Sequence, residues 1–237
     1  MLSGQRGDPY KPASKWFGFP MSNYAVQRIN MVETQVRTND VTDPRIHFAM
    51  QTVERERFVP MTKRSVAYAD LALEVAPGRF LPDPRTFAKL LQLADVRSTD
   101  SVLDVACATG YSTVVIARLA RQVIGLEQDA DLVRIASETT RAAGAANATV
   151  VQGGLTEGFR QKAPFDVIFI NGAVETVPES LLAQLAEAGR LVAVVRAEGQ
   201  SRARLFLRDR GHVGCRADFD SGVPLLAGFR KAVGFVF

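Results

Sequence analysis

Apolar positions recur along this chain in two rhythms. Asp43 and Pro44 open a segment in which Ile46, Ala49, Met50 and Val53 fall on one helical face. Asp83 and Pro84 open another, with Phe87, Leu90, Leu91 and Ala94 as its stripe. Ser22 precedes a further helical stretch from Asn23 to about Arg37. From residue 101 onward the rhythm changes: short apolar runs at 101–105, 122–127, 148–152, 165–170 and 190–195 read as strands buried on both faces. Helical spacing at 110–120, 129–143 and 179–187 falls between them. Such alternation predicts an α/β fold, with a doubly wound, mostly parallel sheet joined by right-handed crossovers. The tail loses its helices. The pieces 202–207, 213–217 and 232–237 are strand-like and suit an antiparallel C-terminal edge.

The first twenty residues follow neither rhythm. Gly, Pro and polar residues dominate them, so residues 1–20 are expected to form an arm, followed by an N-terminal helical subdomain over 21–95 and the main domain over 96–237. Tyr10, Trp16, Phe17 and Phe19 offer that arm an aromatic contact for a protein partner.

Composition narrows the class without choosing it. With 47% hydrophobic residues among 237, the chain can bury one substantial core. The net charge of +4 and pI near 9.3 raise the question of nucleic acid, but Lys and Arg are scattered among 25 acids without a basic run, and no nucleic-acid partner is expected. Cys107 and Cys215 lack metal-ligand spacing; no metal is expected, and a reducing, cytoplasmic setting fits two such cysteines. No run approaches the ~18 apolar residues of a membrane span.

The chemistry concentrates between residues 101 and 127. Val102, Leu103 and Val105 make a buried strand, and Ala106, Ala108 and Gly110 keep the following turn small enough for a ligand to approach the backbone. Glu127 ends the next strand, where an acid can accept both hydroxyls of a ribose. A nicotinamide fingerprint would require glycine at 106, 108 and 111, where the chain has Ala106, Ala108 and Tyr111. The pattern instead resembles motif I of the class I S-adenosylmethionine-dependent methyltransferases, with only the last glycine kept.

Longer blocks narrow the resemblance. Glu54–Pro60, Ala67–Asp70, Val102–Tyr111, Ala163–Ile168 and Leu181–Leu185 resemble successive blocks of the protein-L-isoaspartate O-methyltransferase family, over roughly residues 28–195. The resemblance implies a seven-stranded, Rossmann-like methyltransferase sheet behind an N-terminal helical subdomain that helps cover the active site. It implies S-adenosyl-L-methionine as cofactor, with Asp104, Gly110 and Tyr111 around its methionine part and Glu127 at its ribose. Ala106 and Ala108 then lie where the ligand passes closest, Gly154 in the adenine pocket, and Asn171 with Gly172 at the pocket edge.

Departures from the family pattern fall on the acceptor side. Where the family has a hydroxyl residue implicated in handling the substrate carboxylate, this chain has Pro82, with neither hydroxyl nor backbone donor. Gly154 replaces the acid of the adenine pocket. Arg79 and Asp83 are the candidates left to act on a substrate, Arg79 by pairing with a carboxylate, although the Asp83-Pro84 pair also reads as a helix cap. Asp166 resembles a family acid and equally suits a strand-start cap, while His47 reads as a packing residue and His212 as an exposed turn residue. Methyl transfer from a sulfonium is a direct displacement that asks for alignment and exclusion of water. Hence the expectation is a methyltransferase whose protein, peptide or small-molecule acceptor has changed. The alternatives are carboxyl methylation of isoaspartyl sites and a non-catalytic binding or assembly protein.

Overall fold

The computed structural model describes residues 23–230. The aromatic arm expected over 1–20 and the strand expected over 232–237 lie outside the described residues. Helix α1 (Tyr24–Met31) starts at Asn23, whose side chain accepts from the Val26 amide, and continues through a π-helical turn (Val32–Val36) and a 3-10 turn (Arg37–Asn39). Helices α2 (Pro44–Thr52) and α3 (Pro84–Ala94) begin where their Asp-Pro pairs predict. Asp43 accepts from the Arg45 amide and Asp83 from the Thr86 amide, each at 2.8 Å, so each cap satisfies an amide the helix leaves free.

Between α2 and α3 the chain makes two 3-10 turns (Arg55–Phe58 and Met61–Val66) and an antiparallel hairpin, β1 (Leu73–Ala76) with β2 (Arg79–Leu81). The apolar rhythm predicts no strand there. Strands this short do not develop a readable alternation, and pairing across the turn is what makes them strands.

The main sheet comprises β3 (Ser101–Val105), β4 (Gln122–Glu127), β5 (Ala148–Gln152), β6 (Phe165–Val174), β7 (Leu185–Ala197), β8 (Gln200–Asp209) and β9 (His212–Asp220). Their order is β5-β4-β3-β6-β7-β8-β9. Pairing is parallel from β5 to β7 and antiparallel from β7 to β9, which is the expected mixed sheet. Helices α4 (Tyr111–Ala117) and α5 (Ala130–Ala142) make the crossovers on one side of β3. Helix α6 (Glu179–Leu182) stops well before the expected residue 187. The Gln184 side chain donates to the Glu157 and Ser180 carbonyls, and the Phe165 amide takes the Gln184 carbonyl, so Leu185 pairs with Phe165 as the start of β7. Leu181, Leu182 and Leu185 suit either continuation, and the partner strand decides.

The two sheet faces bury separate cores. Val102 packs with Phe87, Leu90 and Leu91 of α3, Ile46 of α2 and Met31 of α1, while Leu103 and Val105 point into a cluster with Ile124, Ile168 and Leu181. The N-terminal helices therefore share a core with the sheet. Because the chain runs outward from β3 to β5 and returns to β6 on the other side of β3, a crevice lies between the carboxyl ends of β3 and β6. Among the described residues no helix is long and apolar enough to cross a membrane.

Candidate functional site

The turn after β3 keeps a glycine-like course without its glycines. Ala106 (φ 59°) and Ala108 (φ 49°) both occupy the left-handed region, as does Gly110 (φ 92°). The Gly110 amide closes the turn on the Cys107 carbonyl at 2.8 Å, and α4 begins at Tyr111. Thr109 Oγ1 donates to the Phe58 carbonyl at 2.6 Å, fastening the turn to the N-terminal segment. An alanine held left-handed costs about 1–2 kcal/mol, part of which a glycine gives back as unfolded-state entropy. Ala108→Gly is therefore expected to stabilise the protein by about 0.5–1 kcal/mol in denaturant unfolding.

Glu127 ends β4 beneath this turn and is wholly buried. Its carboxylate accepts from the Ala108 amide (3.2 Å), the Gln128 amide (2.8 Å) and the Asp129 amide (3.4 Å). Arg79 of β2 completes the set: Nε lies 3.2 and 3.1 Å from the two oxygens and Nη2 3.1 Å from Oε1. The pair is closed off from water, with side chains 6% and 0% exposed. Arg79, expected as a partner for a substrate carboxylate, is thus placed on the acid expected at the ribose.

Asp104 lies inside the crevice at zero exposure. It accepts from Ser112 Oγ (2.7 Å), Thr113 Oγ1 (2.6 Å) and Asn171 Nδ2 (2.6 Å), so Asn171 on β6 bridges β3 across the switch point. Burial pushes the Asp104 carboxyl up to about 6 against the pull of those three donors. Asn171 Nδ2 also donates to the Val105 carbonyl (3.1 Å), while its Oδ1 is buried with no hydrogen-bond partner among the described residues. Next to it Gly172 adopts φ 145°, and a Cβ there would stand 2.6 Å from Leu226 Cγ, so the crevice wall accepts only glycine.

Tyr111 is buried against Phe58 (ring centroids 5.6 Å apart) and Phe87 (5.5 Å), with the Arg55 guanidinium carbon 4.8 Å from its ring centre. Burial raises the Tyr111 phenol and Arg55 opposes the rise. Arg55 itself is fully buried: Nε donates to the Ala67 carbonyl and Nη2 to the Pro82 carbonyl, both at 2.8 Å. Its Nη1 and the Tyr111 hydroxyl are buried with no hydrogen-bond partner among the described residues. Asp83, the other acceptor-side candidate, spends one oxygen on the Thr86 amide as the α3 cap. The sequence does not single out Arg55, because in Glu54-Arg-Glu-Arg57 it looks like one of several solvated charges; the apolar Val53 and Phe58 near it, both buried, are the one local sign of burial.

Elsewhere, Gly154 carries the Glu157 side chain over it: a Cβ added there would meet Glu157 Cδ at 2.9 Å. Asp166 accepts from the Ser101 amide at 2.8 Å, and His47 is buried with Nε2 on the Val41 carbonyl. Among the described residues no group of three or more His, Cys, Asp or Glu is placed to hold a metal.

Known proteins match this arrangement along most of its length. The family model described as Protein-L-isoaspartate(D-aspartate) O-methyltransferase matches residues 27–219. A protein-L-isoaspartate O-methyltransferase of Koribacter versatilis is 37% identical over 172 residues, covering 73% of this chain and 78% of that one. Another, of Methylorubrum extorquens, is 36% identical over 216 residues, covering 90% and 94%. In three dimensions the fold is similar to a solved protein-L-isoaspartate O-methyltransferase (TM-score 0.74, 23% identity, 85% of this chain and 66% of that chain). It is similar also to a Plasmodium falciparum protein assigned the same activity and solved with S-adenosyl-L-homocysteine (TM-score 0.73, 20% identity, 84% and 97%). A match that takes in the N-terminal helices, the turn, the crevice and the antiparallel edge has one consequence: the chain belongs to the protein-L-isoaspartate O-methyltransferase family.

Proposed function

We propose that this S-adenosyl-L-methionine-dependent methyltransferase acts on a protein or peptide acceptor other than isoaspartate, in the cytoplasm. The observation that carries this reading is the occupation of the acceptor side. By resemblance to the family pattern, Pro82 takes the place of its hydroxyl residue; the Pro82 carbonyl is taken by Arg55, and Asp83 caps α3.

The residues on the donor side fit the cofactor. Glu127 is the carboxylate for the ribose, the left-handed turn 106–110 brings the backbone close, and the orphaned Asn171 Oδ1 is an acceptor suited to an ammonium group. When bound, the cofactor supplies a methyl group on a positively charged sulfur. The protein's task is then to align an acceptor with that carbon and keep water out. A carboxylate acceptor is ionised at neutral pH, so the chain needs no general base for it.

One observation favours a second reading, isoaspartyl methylation itself. Arg55 Nη1 and the Tyr111 hydroxyl, both without a partner among the described residues, lie on the guanidinium that holds Pro82 and on the ring beneath it. Labelled-methyl transfer to an isoaspartyl peptide, with its aspartyl counterpart as control, separates the two. We expect no preference for the isoaspartyl form, since a carboxylate short of one partner loses about 1–3 kcal/mol. Isoaspartate-selective transfer that disappears in Tyr111→Phe would establish the second reading instead.

A further inference from the structure

Arg79 reaches Glu127 from the β1–β2 hairpin, 48 residues away in sequence. The hairpin is held by buried Leu73 and Leu81 and by Lys63, whose ammonium donates to the Glu74 carbonyl at 2.8 Å. Among the described residues its tip is open: Pro77 and Gly78 are exposed, and nothing lies within 4 Å of a Cβ built on Gly78. From this exposed turn the Arg79 side chain dips inward to 6% exposure.

A guanidinium fork and a ribose diol make the same demand on a carboxylate, each presenting two adjacent donors to its oxygens. Glu127 cannot serve both. An ionised carboxylate offers about four lone-pair sites, and here the Ala108, Gln128 and Asp129 amides and the two Arg79 nitrogens already crowd them. The backbone donors belong to the turn and to the strand end, so Arg79 is the partner that can leave.

We propose that Arg79 is an intramolecular competitor of the methyl donor: it occupies the ribose carboxylate, and the donor binds as Arg79 withdraws with the hairpin. The inference rests on the reading that Glu127 receives the ribose. Donor affinity is then lowered by the fraction of molecules in which Arg79 holds Glu127. Arg79 thereby sets how much donor the protein requires before it can act.

Calorimetric titration with S-adenosyl-L-homocysteine tests this on the full chain, comparing wild type with Arg79→Ala and Arg79→Gln. At least tenfold tighter binding is expected in Arg79→Ala, with a smaller gain in Arg79→Gln, whose amide can still donate once to Glu127. In wild type, saturating S-adenosyl-L-homocysteine should speed amide hydrogen exchange over residues 73–81, a readout that requires no substitution and stands if a variant fails to fold. Equal or weaker binding by both variants, with unchanged exchange in the hairpin, overturns the competitor role and leaves the donor site intact. Absence of binding at millimolar ligand in all three proteins overturns the donor-site reading together with it.

Discussion

Replacing Glu127 by alanine is expected to lower the unfolding free energy by about 3–5 kcal/mol, the cost of leaving one member of a buried ion pair without its counter-charge. Arg79 is enclosed with its side chain 6% exposed, and its remaining bond is a 3.3 Å contact from Nη1 to the Gly78 carbonyl. The Ala108 and Gln128 amides lose an acceptor in the same step. Substituting both partners by apolar side chains of similar volume, Glu127→Met with Arg79→Met, should recover part of the loss, because both desolvation costs go while the backbone amides stay without an acceptor. Urea denaturation reads both proteins through the shift of the midpoint at constant slope. A loss under about 1 kcal/mol in the single variant would mean that Arg79 swings to water when its partner goes, and the hairpin would then be looser than its packing indicates.

Asp104 should make stability fall as pH rises from about 4 to 6. Its folded carboxyl titrates near 6 because burial disfavours the charge, whereas an unfolded aspartate titrates near 3.9. Below about pH 4 both states hold the proton, and Asp104 costs the fold nothing. Between the two values the unfolded chain releases its proton first, so the folded state binds more protons and loses ground with increasing pH. The contribution is on the order of 2–3 kcal/mol and is fully lost above about pH 6. Asp104→Asn cannot titrate. Subtracting its unfolding free energies from those of wild type at each pH should therefore give a difference that declines from pH 4 to 6 and is level above. A difference that rises with pH would show that the three donors from Ser112, Thr113 and Asn171 outweigh burial.

How far the sequence speaks for itself differs sharply between the central strands and the site they carry. The strands 101–105, 122–127 and 148–152 run between the residues their apolar runs predict. The Asp-Pro starts of α2 and α3 and the antiparallel edge were legible too. These features depend on neighbours one to four residues away: side-chain period, a cap and its amide, a proline that presets the first turn. The position of Glu127 at a strand end, and the small turn opposite it, follow from the same local rules.

The use made of those residues was decided elsewhere. Whether Leu185 extends α6 or starts β7 depends on Phe165, which offers it a partner. Arg79 reads as a surface cation, and only the place the fold gives the hairpin sets it on Glu127. Arg55 sits in a charged run, and only the chain passing over it from Ala67 and Pro82 buries it with two carbonyls. Asn171 acquires its role when β6 returns beside β3 and puts Asp104 within 2.6 Å. Pattern along a chain reports which face of an element is buried, since burial repeats with the period of the element. It says nothing of which charge meets which across the fold, because one guanidinium serves any carboxylate that packing brings into reach, and that choice is made by the tertiary structure.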